Sequence, residues 1–201
     1  MLDARLRPII DPPLDRLSDA LAAVGLSPNA ATVLGFALGL AALVAIATQA
    51  WLLGLVLILL NRLFDGLDGA LARRCGATDL GGFLDIVLDF IFYAGVPFAF
   101  ALADPEANAL AAAFLVFSFV GTGSSFLAYA IMAAKRGISS ELRGKKSLYY
   151  LGGLTEGTET IAALVLCCLF PASFPLIAWT FGGLCWLTTG TRLAIAWQTL
   201  R

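Results

Sequence analysis

From residue 30 to the C-terminus, long apolar blocks alternate with short polar breaks. Each block holds about twenty residues, enough to cross the ~30 Å hydrocarbon layer of a bilayer as a helix. Helices are the expected form, because inside lipid each backbone N–H and C=O must be satisfied within its own segment. The pattern predicts spans at about 30–50, 52–73, 80–102, 108–134, 150–171 and 174–197. Residues 1–29 read differently, being polar and punctuated by Pro8, Pro12 and Pro13. Within them Leu14, Leu17, Leu21 and Val24 recur at helical spacing against Asp15, Arg16 and Asp19. That spacing predicts an amphipathic helix lying on the membrane surface. The expected fold is therefore an all-α integral membrane protein, with an interfacial segment over 1–29 and a six-helix transmembrane domain over 30–201.

Composition agrees. The chain is 60% hydrophobic and 13% charged over 201 residues, against roughly a quarter charged in soluble domains. One membrane domain fits this length, with no room for a separate soluble enzyme. A net charge of −1 gives no reason to expect nucleic acid as a partner. The placement of charge is more informative. Arg5, Arg7, Arg16, Arg73, Arg74, Lys135, Arg136, Arg143, Lys145, Lys146 and Arg201 fall on one set of connections and ends. The opposite connections, near Ala50, Asp104 and Ser173, carry no Lys or Arg. By the positive-inside rule both termini face the cytoplasm, and a bacterial inner membrane is the expected location. Paired glycines at 35/39, 121/123 and 182/183 read as close helix packing. Cys75, Cys167, Cys168 and Cys185 lack metal-ligand spacing and read as packing residues.

The predicted second and third spans contain Asp65, Asp68, Asp85 and Asp89. A charge within a membrane helix costs a few kcal/mol on insertion scales and usually marks function. Asp65 and Asp68 are three apart and Asp85 and Asp89 four apart, so each pair occupies one face of its helix. The short connection between the spans predicts antiparallel neighbours with both pairs at similar depth. Asp65 precedes Arg73 by eight residues, roughly 12 Å along a helix axis, so the site sits in the cytoplasmic half of the membrane. Four converging carboxylates need a counter-charge. Two divalent ions would supply it, and an all-oxygen set without histidine favours Mg²⁺ or Mn²⁺ over zinc. Salt bridges to Arg62, Arg73 and Arg74 are the plainer alternative. Gly66 and Gly69 strip side chains from the helix beside the carboxylates, where a ligand could approach backbone. Arg73 is one turn beyond Gly69, suited to a phosphate.

The stretch from Asp65 to Asp89, DGLDGALARRCGATDLGGFLDIVLD, fits D-x2-D-G-x2-A-R-x7-G-x3-D-x3-D. It resembles the signature of the CDP-alcohol phosphotransferases, the class I phosphatidyltransferases that build phospholipids. Six spans, a leading amphipathic helix and a length near 200 residues are similar to the bacterial members. Ser27 to Thr32 is similar to the family segment that helps hold the donor nucleotide at the start of the first span. The resemblance implies that Asp65, Asp68 and Asp85 ligate two metal ions, and that Asp89 is the general base and also a metal contact. It implies that Asn29, Thr32, Asp68, Gly69, Arg73 and Thr78 contact the CDP portion, with Arg73 on the diphosphate. The implied reaction transfers a phosphatidyl group from a CDP-alcohol, with CDP-diacylglycerol expected, to a small alcohol, releasing CMP. With no histidine present, a carboxylate is the natural base for the alcohol proton. A homodimer is expected.

The acceptor is less legible. Lys135, ending span four, and Arg192, inside span six, could hold an acceptor phosphate; Lys135 could equally anchor its helix end. Glu156 and Glu159, three apart in the polar run LTEGTET, could line the acceptor pocket or pair with Arg62 or Arg192. A phosphorylated polyol ranks first, because the basic residues create a positive approach. Two readings from other classes compete: a metal-dependent membrane prenyltransferase and a divalent-cation transporter. Neither accounts for Gly69, Ala72, Arg73 and Gly81 in their places.

Overall fold

A computed structural model describes residues 3–137 and 153–201. The described residues form seven α-helices and no strand: α1 (Asp3–Ala23), α2 (Pro28–Ala47), α3 (Trp51–Cys75), α4 (Asp79–Ala103), α5 (Pro105–Lys135), α6 (Gly157–Leu169) and α7 (Phe174–Thr199). Their boundaries follow from local chemistry. Ser27 caps α2, its Oγ accepting from Ala30 N at 3.2 Å, with Pro28 pre-set at the first helical position. Asp104 and Pro105 repeat the device at α5, where Ala107 N donates to Asp104 Oδ1 at 3.1 Å. Gly76, at φ +97°, ends α3, and Thr78 caps α4 by accepting from Gly81 N at 3.0 Å.

Three helices, α2, α4 and α5, are both long and apolar enough to cross a membrane. α3 and α7 have 25 and 26 residues but carry the polar groups described below. Large apolar side chains such as Val44, Leu52, Phe98, Leu110 and Trp197 lie exposed on the outer surface, as lipid contact requires. The inner core is aromatic at one end, where Phe100 stacks on Phe174 at 4.4 Å and on Trp51 at 5.3 Å.

α2 packs against both α3 and α4, and α5 against α4 and α7. α3 and α4, the expected antiparallel neighbours, meet through side chains, with Arg62 of α3 reaching Asp89 and Tyr93 of α4. α2 packs on both because Gly35 and Gly39 admit its neighbours closely. A Cβ there would lie 2.9 Å from Phe64 Cβ and 2.8 Å from Phe92 Cδ2 respectively. Gly183, by contrast, meets nothing within 4 Å, so it adds no helix contact.

Two further expectations change. α1 is helical from Asp3 and includes Pro8, Pro12 and Pro13. All three prolines are exposed, so carbonyls left without a donor can take water instead. The fifth predicted span begins at Gly157 rather than 150, and residues 150–152 lie outside the described residues. Glu156 and Glu159 form a capping box: Glu159 Oε2 accepts from Glu156 N at 3.1 Å, which fixes the helix start there.

Candidate active site

The middle of α3 and the first half of α4 face each other across the floor that α2 supplies. Asp65, Asp68 and Asp85 each offer an oxygen within 4.8 Å of the others. The one-turn spacing of Asp65 and Asp68 brings two carboxylates from α3, and α4 brings the third. Asp68 is buried, and its Oδ2 has no hydrogen-bond partner. A buried carboxylate oxygen left unpaired is costly, and three converging acidic oxygens are a suitable donor set for a hard divalent cation. The residues fit a metal site.

Asp89 is placed differently. Arg62 Nη2 donates to its Oδ1 at 2.7 Å, while Nη1 donates to Tyr93 Oη at 2.8 Å. Arg62 Nη1 also stands 3.5 Å from Asp65 Oδ2. The pairing with Arg62 that the spacing left open is therefore present, beside the acidic cluster. Arg62 is the site residue whose role the sequence reading understated: an arginine one turn before Asp65 was a sufficient signal.

Arg73 and Arg74 turn toward α1. Arg73 Nη2 donates to Asp15 Oδ1 at 3.1 Å, and Arg74 pairs with Asp19. Arg73 is half-exposed, with Nη1 beside the open face of Gly69, 3.7 Å from where a Cβ would stand. Gly66 does not have an open face. Leu14 of α1 covers it, its Cδ1 only 2.8 Å from the position a Cβ would take, so this glycine seats α1 against α3. Thr32 and Gly35 of α2 line the same cleft as the four aspartates. Asn29 Oδ1 and Thr78 Oγ1 converge on Gly81, at 2.9 and 3.1 Å from its Cβ position. The candidate donor residues thus surround the C-terminal end of α3 and the start of α4.

A cavity of about 280 Å³ opens beside the cleft and shares Asp85 and Asp89 with it. Thr122 and Phe126 of α5, Glu156 and Arg192 also line it. Arg192 is buried, donates to Thr122 O at 2.8 Å and lies over the Phe126 ring at 5.5 Å. Glu156 Oε1 accepts from Gly153 N at 3.3 Å. Thr155 is pinned to Thr188 of α7 by a 2.9 Å hydroxyl contact. Of the four candidate acceptor residues, Arg192 and Glu156 come together in this wall. Glu159 instead serves the start of α6. Lys135 is exposed at the end of α5 and does not line the cavity. Arg143, Lys145 and Lys146 lie outside the described residues.

The sequence is 58% identical over 201 residues to Inner membrane protein YnjF of Escherichia coli, covering 100% of this chain and 98% of that one. It is 36% identical to archaetidylinositol phosphate synthase of Pyrococcus horikoshii over 49% of this chain and 53% of that protein. Among solved structures it resembles Mycobacterium tuberculosis phosphatidylinositol phosphate synthase (PgsA1) with CDP-DAG bound. The TM-score is 0.66 at 25% identity, over 92% of this chain and 93% of that one. These likenesses, with the apolar helices, describe an integral membrane protein. They leave the prenyltransferase and transporter readings without support. The CDP-alcohol phosphatidyltransferase family model matches residues 25–191, which include the aspartate cluster, the cleft and the cavity wall through Thr191, and the chain belongs to that family.

Proposed function

We propose that this protein transfers the phosphatidyl group of CDP-diacylglycerol to the hydroxyl of a small alcohol, releasing CMP. The observation that carries this reading is the convergence of Asp65, Asp68 and Asp85 with one buried Asp68 oxygen unpaired. CDP-diacylglycerol as donor is supported by the structural likeness to the synthase solved with CDP-DAG.

Asp65, Asp68 and Asp85 would hold two Mg²⁺ or Mn²⁺ ions. When bound, such ions polarise phosphoryl oxygens and stabilise CMP as a leaving group. Arg73 binds the diphosphate with its planar fork, and the bare face of Gly69 lets the nucleotide approach backbone. The contact with Asp15 is no obstacle, since an exposed ion pair contributes only about 0–1 kcal/mol. Asn29, Thr32 and Thr78 complete the donor site. Asp89 lines both the cleft and the cavity, so it can remove the acceptor's proton as the acceptor oxygen bonds to phosphorus. The bond between that phosphorus and the CMP oxygen then breaks. Arg192 and Glu156 would contact the acceptor in the cavity, and a phosphorylated polyol ranks first because Arg192 is buried in that wall.

The proposed membrane arrangement has six crossings, α1 on the surface, and the site open to the cytoplasm. It rests on the one-sided distribution of Lys and Arg. α6, with 13 residues, is roughly 20 Å long, shorter than the other crossings. The direct test is purified protein with CDP-diacylglycerol and a panel of alcohols. Mg²⁺-dependent CMP release with one acceptor is the expected result. Absence of CMP release with every acceptor and metal would defeat the proposal.

A further inference from the structure

Arg62 stands at a junction of three helices. Its Nε donates to Asn61 Oδ1 at 2.7 Å, and Asn61 Nδ2 donates to Gly35 O of α2 at 2.8 Å. Its two terminal nitrogens reach Asp89 and Tyr93 of α4. The guanidinium lies 4.7 Å from the Phe92 ring centre and 5.0 Å from that of Tyr93. The Arg62 side chain is only 8% exposed. A lysine could not make this set of contacts, which uses the rigid fork and a planar face together.

This arrangement divides the four aspartates. Asp65, Asp68 and Asp85 gather within 4.8 Å of one another, while Arg62 takes Oδ1 of Asp89 at 2.7 Å. That bond uses one carboxylate oxygen and leaves Oδ2 to meet an acceptor proton. The same arginine stands farther from Asp65, at 3.5 Å, so Asp65 stays with the cluster.

We infer that Arg62 is a positioning residue: it holds Asp89 at the boundary of cleft and cavity, as a base for the acceptor hydroxyl. The inference rests on the proposed role of Asp89. Its consequence is specific. Removing Arg62 slows the chemical step by letting Asp89 turn, with little change in metal or donor binding. A misplacement of about 1 Å in a reacting group can cost roughly 10²-fold in rate.

The test compares CMP release by the parent, Arg62→Gln, Arg62→Lys, Asp89→Asn and the Asp89→Asn/Arg62→Gln double variant. Mn²⁺ binding is followed in each by electron paramagnetic resonance. The expected result is a kcat lower by about 10²-fold in Arg62→Gln, with donor KM and Mn²⁺ affinity within about two-fold of the parent. Arg62→Lys should fall between the two. The double variant should be no slower than Asp89→Asn alone, because Arg62 acts only through that carboxylate. Tyr93→Phe, which removes one bond of the fork and keeps the ring, should lower kcat a few-fold and carries the test if Arg62→Gln does not fold. Unchanged kcat in Arg62→Gln beside an inactive Asp89→Asn would overturn the positioning role alone. A double variant much slower than Asp89→Asn would do the same, showing that Arg62 acts elsewhere. Full turnover in Asp89→Asn would instead remove the base assignment beneath it.

Discussion

The cleft takes its carboxylates from the interiors of two continuous helices, α3 and α4. The adjoining cavity takes Thr155 and Glu156 from a turn, Thr122 from α5 and Arg192 from α7. In the cleft, helical repeat alone aligns Asp65 with Asp68 and Asp85 with Asp89. In the cavity wall, the position of each polar group depends on how an element starts or crosses. One wall is thus fixed by local spacing, the other by tertiary contacts such as the Thr155–Thr188 pair. Within this family fold, the first arrangement suits a chemistry held constant, and the second suits an acceptor that can vary.

The sharpest way to break this comparison is at Asp68. Asp68→Asn keeps the shape but weakens a proposed metal ligand at a buried oxygen that has no hydrogen-bond partner. Activity should fall by three orders of magnitude or more, on the order of the full metal contribution, with Mn²⁺ binding lost and the fold retained. Asp65→Asn and Asp85→Asn should do likewise. Near-parent turnover in Asp68→Asn would remove the metal assignment of the whole cleft.

Next in size are changes to the cavity wall. Arg192→Ala should raise acceptor KM by roughly 10–10²-fold, the usual cost of losing a hydrogen-bonded charge at a ligand. Lys135→Ala should change it little, because Lys135 is exposed and outside the wall. Kinetics on a panel of charged and neutral alcohols check both. Preference for an uncharged alcohol, indifferent to Arg192→Ala, would overturn the phosphorylated acceptor and favour Glu156 as the selecting group.

The contrast between the walls also explains what was legible in the sequence. The aspartates and the family signature are local, and helix periodicity carries them directly into three dimensions. Five predicted spans match observed helices closely, because caps such as Ser27-Pro28 and Asp104-Pro105 are local as well. Thr155 to Thr160 reads as mid-helix on hydropathy alone. The Glu156/Glu159 capping box makes it a helix start, a distinction that an averaged hydropathy window blurs. Gly66 illustrates the tertiary limit. Its bare face looks the same in sequence as that of Gly69, and only the docking of Leu14 distinguishes them.

On the donor side a moderate effect is expected at Arg73. Arg73→Lys keeps the charge but loses the planar fork on a diphosphate, so donor KM should rise about tenfold, with kcat less affected. Unaltered donor binding would leave Arg73 as no more than the partner of Asp15.

The smallest effect is expected at Thr78, and it probes whether the donor site shares the rigidity of the cleft. Thr78 Oγ1 accepts from Gly81 N at 3.0 Å and so caps the helix that carries Asp85 and Asp89. Thr78 is exposed, and its hydroxyl still has a proton to donate to a phosphate oxygen. Removing the cap should cost about 1 kcal/mol of stability, visible as a small fall in thermal midpoint for Thr78→Ala. Thr78→Ser supplies both functions and should match the parent in midpoint and donor KM. Thr78→Asp separates the two roles: it caps the helix well, and its negative charge repels a diphosphate. If Thr78 only caps α4, Thr78→Asp should retain parent donor KM along with its stability. If the hydroxyl also holds the donor, Thr78→Asp should keep the midpoint and lose donor affinity several-fold more than Thr78→Ala does. The second outcome is the one expected, because Asn29 and Thr78, both proposed donor contacts, converge on the same glycine.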